Sequence, residues 1–160
     1  MPTRYEGSRR EVRALDAYIK LMRATESLNA RLVRSLAAHD LTMSQLGTLE
    51  ALLHVGPMCQ RALAQKLLKS SGNMTTVIDN LEARGLVSRV RGTEDRRFIT
   101  LHLTPAGRKL IDSVFPAHAA LIADALALLS PAEQGDLARL CKKLGLALAG
   151  TATAPEAAAE

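Results

Sequence analysis

The chain has 160 residues, of which 48% are apolar, 23% charged and only 2% aromatic, with no tryptophan. That length suits one domain with a buried core and no need of disulfides or metal, while the scarcity of aromatic rings argues against a stacking platform for single-stranded nucleic acid. The formal charge of +5 is concentrated, since residues 60–109 carry +6, residues 1–59 carry +2 and residues 110–160 carry −3, which is the footprint of a local polyanion-binding surface or of an ordinary solvated basic face.

Residues 1–10 are expected to be flexible. From Glu11 to Ala38 the apolar residues Leu15, Tyr18, Leu21, Met22, Leu28, Leu32 and Leu36 recur at three- and four-residue spacing, which predicts one long amphipathic helix with a side free to face a second chain. Thr42 and Gln45 form a capping box flanked by Leu41 and Leu46 at staple positions, so a helix starts there and stops near His54, before Gly56-Pro57. A short helix is predicted from Gln60 to Leu68, with Leu63 and Leu67 inward. Ser70 then caps a helix in which Met74, Val77, Ile78 and Leu81 fill one face and Ser71, Asn73, Thr75, Thr76, Asp79 and Asn80 the other, with Gly85 as its stop.

The period changes to two over Leu86–Arg91 and Phe98–Leu103, which predicts a two-stranded β-hairpin whose tip is Gly92-Thr93-Glu94-Asp95-Arg96-Arg97. Thr104-Pro105 opens the next helix, with a kink expected at Pro116. Ser130-Pro131-Ala132-Glu133 caps a last helix whose Leu137, Leu140, Leu144 and Leu148 should face inward, followed by a disordered tail over residues 150–160. The fold class is therefore mainly α with a two-stranded β wing.

The order helix, short helix, turn, helix, hairpin is that of a winged helix-turn-helix, here residues 41–103. The second helix of such a unit enters the major groove of double-stranded DNA, and short hydroxyl and amide side chains suit base edges and phosphates. Ser70, Ser71, Asn73, Thr75, Thr76 and Asn80 are the candidate contacts on that helix. On the wing, Arg89, Arg91, Arg96 and Arg97 crowd one tip, with Asp95 able to hold an arginine in place for the minor groove. A charged turn with no partner is the alternative for the hairpin taken alone.

The segments Leu63-Ala64-Gln65-Lys66-Leu67, Ser70 to Val87, Glu94-Asp95-Arg96-Arg97 and Leu101-His102-Leu103-Thr104-Pro105-Ala106-Gly107 resemble the MarR family of winged-helix regulators, over roughly residues 11–149. The resemblance implies a homodimer held by the helices of residues 11–40 and 104–149. It further implies a pseudo-palindromic operator and release of DNA by a small-molecule effector or by cysteine oxidation. The stretch Gly72 to Leu81 is similar to the branch that answers quinones, catechols and other phenolics. On the helices that line the family's effector cleft lie Tyr18, Met22, Met43, His54 and Phe115, each of which is also suited to ordinary core packing.

Cys59 and Ala62 replace the Thr and acidic residue with which the family often opens its third helix. A thiol at a helix N-terminus can have a lowered pKa, so a redox-sensing regulator using Cys59 is one alternative function and a half-buried inert thiol the other reading. Cys141 falls on the apolar stripe of the last helix and is expected in the core. A protein–protein module that has lost DNA binding is the alternative from another class. The two cysteines form no CxxC pair, and no run of about 18 apolar residues or signal-like start occurs, so reduced thiols, a cytoplasmic location and no membrane partner are expected. His39, His54, His102 and His118 make no metal-binding spacing, and no Walker loop, GxGxxG or GxSxG is present. Accordingly no metal, no cofactor, no catalytic residue and no enzymatic activity are expected.

Overall fold

The computed structural model describes residues 4–92 and 98–151, the last three in backbone alone. Helix starts follow side chains that satisfy the free N–H groups of a first turn. Ser8 caps α1 (Arg9–Leu36), accepting from the Glu11 N–H at 3.3 Å while the Glu11 carboxylate accepts from the Ser8 N–H at 2.8 Å. The helix thus begins inside the segment expected to be flexible, because a local capping box is enough to order it. Thr42 and Gln45 make the reciprocal pair that starts α2 (Met43–Val55), at 3.2 and 2.9 Å. Ser70 caps α4 (Ser71–Ala83), accepting from the Asn73 N–H at 3.3 Å.

Helix ends are equally local. Leu41 N–H bonds Leu36 C=O and Asp40 N–H bonds Ala37 C=O after a turn of 3-10 helix, Ala37–His39. Lys69 and Leu68 repeat the pattern on Ala64 and Gln65 after α3 (Gln60–Lys66), and Leu86 and Gly85 on Leu81 and Glu82 after α4. All three are Schellman pairings, which place one residue in the left-handed region. Gly85 holds it at φ +66°, whereas Asp40 and Leu68 hold it at +51° and +52° against the usual steric preference.

The sheet is antiparallel and three-stranded, in the order β1-β3-β2. Strands β2 (Val87–Arg91) and β3 (Ile99–Leu103) form the expected hairpin, in register from Val87 opposite Leu103 to Arg91 opposite Ile99. Strand β1 (Met58–Cys59) adds to its far edge, Met58 opposite Leu101, so the wing is one strand wider than the two expected. Two residues are too few to show a period of two in the sequence.

Helix α5 (Pro105–Leu126) continues through Pro116, and α6 (Pro131–Thr151) starts from the Ser130–Glu133 capping box. Glu133 is fully exposed, and the Ser130 hydroxyl and then its backbone N–H hold the carboxyl below the usual glutamate range.

The chain divides into two compact units, Met1–Ile122 and Ala123–Glu160. In the first, a core of Leu36, Leu46, Leu49, Leu63, Met74, Ile78, Leu81, Leu101 and Ile111 is sealed from solvent. It joins the end of α1, helices α2 to α4, β3 and the first turns of α5. In the second, the leucines expected inward are exposed, with Leu140 at 53%, Leu144 at 50% and Leu148 at 61%, and Leu137 at the margin. Cys141 is exposed as well, not in a core. The periodicity marks an apolar face correctly, and among the described residues that face is exposed. No single helix among the described residues is long and apolar enough to cross a membrane.

Candidate nucleic-acid interface

Helix α4 is anchored by its apolar side, where Met74, Val77, Ile78 and Leu81 are buried. Its other side leaves Ser71, Asn73, Thr75, Thr76, Asp79 and Asn80 exposed. Burying four side chains of this size contributes several kcal/mol, at about 1.5–3 kcal/mol each, so the polar side is presented on a fixed support. Not all of its groups are free. The Ser70 hydroxyl is committed to the cap. The Thr75 hydroxyl donates to Ser71 C=O at 3.1 Å and accepts from the Gln60 amide at 2.7 Å. Gln60 also donates to Ser71 C=O at 3.3 Å. The sequence gives no sign of this clamp, because it spans fifteen residues across the turn between α3 and α4.

Arg89 has a different setting from that expected. Its guanidinium pairs with Glu82 and, at 2.5 Å, with Asp79, while its backbone N–H donates to Glu82 at 3.2 Å. The hydrogen bond that it donates to Asp79 does most to raise its pKa further, with Glu82 adding to it against the opposing cost of burial. Arg89 therefore ties β2 to the second half of α4. Arg91 stands exposed at the end of β2, where Gly92 N–H bonds Phe98 C=O at 2.8 Å and closes the described part of the hairpin. Asp95, Arg96 and Arg97 lie outside the described residues.

The root of the hairpin is fixed to α5. Thr104 Oγ1 donates to Gly85 C=O at 2.7 Å and accepts from Gly107 N–H at 3.0 Å, and Thr104 N–H donates to Leu86 C=O at 3.2 Å. One residue thus ends β3, caps α5 and fastens the turn after α4.

Of the residues expected at an effector cleft, His54 and Phe115 meet edge to face, with ring centroids 5.5 Å apart. Met43 packs at the edge of the core. Met22 is partly exposed on α1, and Tyr18 lines a separate hollow with Leu15 and Tyr5. An open groove of about 950 Å³, which the sequence does not announce, is lined by Leu52, Leu53, His102, Leu103, Arg108 and Lys109 among others. Cys59 is exposed at the N-cap position of α3 and makes no side-chain capping bond. Among the described residues no group of three or more His, Cys, Asp or Glu gathers around a possible metal position.

The model of the MarR family matches residues 41–99, which run from the start of α2 into β3. Over 134 residues the chain is 37% identical to the uncharacterized HTH-type transcriptional regulator YkoM of Bacillus subtilis, a match spanning 84% of this chain and 87% of that protein. The chain belongs to the MarR family. This MarR-family regulator is also 32% identical to the HTH-type transcriptional regulator MhqR of Bacillus subtilis, over 84% of this chain and 92% of the other.

Among solved structures the MarR fold recurs in AbsC of Streptomyces coelicolor, with a TM-score of 0.80 at 24% identity, covering 92% of this chain and 99% of that one. BpsR of Bordetella bronchiseptica, whose DNA binding is regulated by 6-hydroxynicotinic acid, superposes with a TM-score of 0.74 at 26% identity, over 81% and 98% of the two chains. The MarR-family chain is accordingly a winged-helix, DNA-binding transcriptional regulator.

Proposed function

We propose that this regulator acts as a homodimeric repressor, bound to a pseudo-palindromic operator and released from it by a small phenolic or other aromatic ligand. The observation that carries the DNA reading is α4 itself, a helix with a sealed apolar side and a polar side of short hydrogen-bonding residues beside the hairpin. In this reading Ser71, Asn73, Thr75, Thr76 and Asn80 meet the major groove, and Arg91, Arg96 and Arg97 reach the flanking backbone or minor groove. Asp95 holds one of those arginines. Residues 41–103 form the DNA-binding unit, and the helices of 11–40 and 104–149 join two copies. The exposed leucines of α6 support a second copy. The groove bearing Arg108 and Lys109 suits a planar, partly anionic ligand, and 6-hydroxynicotinic acid, which regulates DNA binding by BpsR, is of that chemical kind.

The test is fluorescence anisotropy with labelled duplex from upstream of the protein's own gene and a random duplex, at two salt concentrations. Wild type should bind its own duplex tightly and lose affinity steeply as salt rises. Arg97→Ala should weaken that binding by about 1–3 kcal/mol, the scale of one good groove contact. Absence of binding to any duplex at low salt would overturn the reading.

A further inference from the structure

The Gln60–Thr75–Ser71 cluster determines which hydrogen-bonding role the recognition helix can play at Thr75. Ser71 C=O can only accept, so the end of the Gln60 side chain that faces it, at 3.3 Å, is the amide –NH₂. That –NH₂ has only donors to offer, and it lies 2.7 Å from Thr75 Oγ1. The threonine oxygen therefore accepts there, and its single proton goes to Ser71 C=O, 3.1 Å away. A hydroxyl has one proton and two lone pairs. The proton and one pair are used, and one pair remains on an exposed side chain.

In the major groove the donors are the exocyclic amino groups of adenine and cytosine, whereas guanine N7 and O6, thymine O4 and the phosphate oxygens only accept. An amino group adds a bond to Thr75 and breaks none. An acceptor gains one only if the Thr75 proton leaves Ser71, so that one bond is exchanged for another. We infer that Thr75, held by Gln60, is an acceptor that reads the exocyclic amino group of an adenine or a cytosine. Gln60 is its positioning residue and touches no DNA. The inference rests on the reading of α4 as the groove helix.

The experiment begins with selection from a randomised duplex library by full-length wild type, Gln60→Ala, Thr75→Val and Thr75→Ser. In the sequence that wild type selects, each adenine or cytosine is then replaced singly by an analogue lacking the exocyclic amino group. At one position the analogue should cost wild type and Thr75→Ser about fivefold to tenfold in affinity, the scale of a single hydrogen bond. It should cost Thr75→Val nothing and Gln60→Ala an intermediate amount, with each variant's thermal melt showing that it is folded. If Thr75→Val keeps the whole penalty at every position, or loses affinity equally for all duplexes as a phosphate contact would, the inference fails and the groove-helix reading stands. If wild type selects no sequence at all, that reading fails and takes the inference with it.

Discussion

Gly107 sits where α5 passes the carbonyl of Leu86, with no room for a side chain. A Cβ built there would lie 2.0 Å from Leu86 O and 2.9 Å from Leu103 Cδ1. The nearer contact is backbone, and that backbone is held by Thr104, whose N–H bonds Leu86 C=O and whose hydroxyl bonds Gly85 C=O. Relief would need the turn after α4 to move away from α5. Gly107→Ala is therefore expected to destabilise the fold by about 3 kcal/mol, the upper end of what overpacking costs. Urea unfolding should show a lower midpoint at unchanged slope. Gly135 in α6 is the control, since a Cβ there meets nothing within 4 Å, and Gly135→Ala should be neutral or gain up to about 1 kcal/mol from helix propensity. Equal stabilities for the two variants would show that the turn after α4 yields to a side chain at Gly107 without cost.

At the scale of elements, the join between α4 and the wing depends on Arg89 with Asp79 and Glu82. The three side chains are partly exposed, so each pair contributes under about 1 kcal/mol after solvent screening. Arg89→Ala should cost roughly 1 kcal/mol of stability, and a double-mutant cycle with Asp79→Asn should return a coupling of about 0.5 kcal/mol. DNA binding separates this role from a direct contact. Removing an arginine that neutralises a phosphate lowers the salt slope by about one, whereas removing a brace lowers affinity and leaves the slope unchanged. An Arg89→Ala slope reduced by one would return Arg89 to the contact role that the sequence suggests.

This is also where sequence legibility ends. Thr42 with Gln45, Ser70, Gly85 and Ser130 with Glu133 could be read directly, because caps act over three or four residues. The polar side of α4 was legible for the same reason, being the complement of a periodic apolar side. Arg89 reads as one of a crowd of arginines near the hairpin tip, yet its partners lie seven and ten residues back, and packing alone brings them together. Gln60 and Thr75 are hidden in the same way, and strand β1 is too short to have a period.

At the scale of the whole molecule the outstanding feature is the apolar side of α6. Leu137, Leu140 and Leu144 recur at helical spacing and are exposed by 39%, 53% and 50%. Cys141 is exposed among them, and from Pro131 to Leu148 only Gln134 is even half-buried. Helix α1 repeats the theme, with Tyr18, Leu21 and Met22 exposed along it. Contiguous exposed leucines at this density mark an association surface, and a two-fold pairing would let one patch cover its own copy. The consequence for DNA follows from geometry, because two recognition helices joined rigidly can occupy half-sites about 34–36 Å apart. A lone chain reaches only one of them. The variant Leu140→Glu with Leu144→Glu changes two exposed positions and should leave the first unit folded. Sedimentation equilibrium should give a dimer mass for wild type and a monomer mass, near 17.2 kDa, for the variant. Affinity for a duplex with two half-sites should fall by about 10²–10⁴, the loss of one linked binding event, while affinity for a single half-site stays the same. If the variant keeps the dimer mass, the subunit contact lies elsewhere, and the apolar side of α6 needs a different occupant.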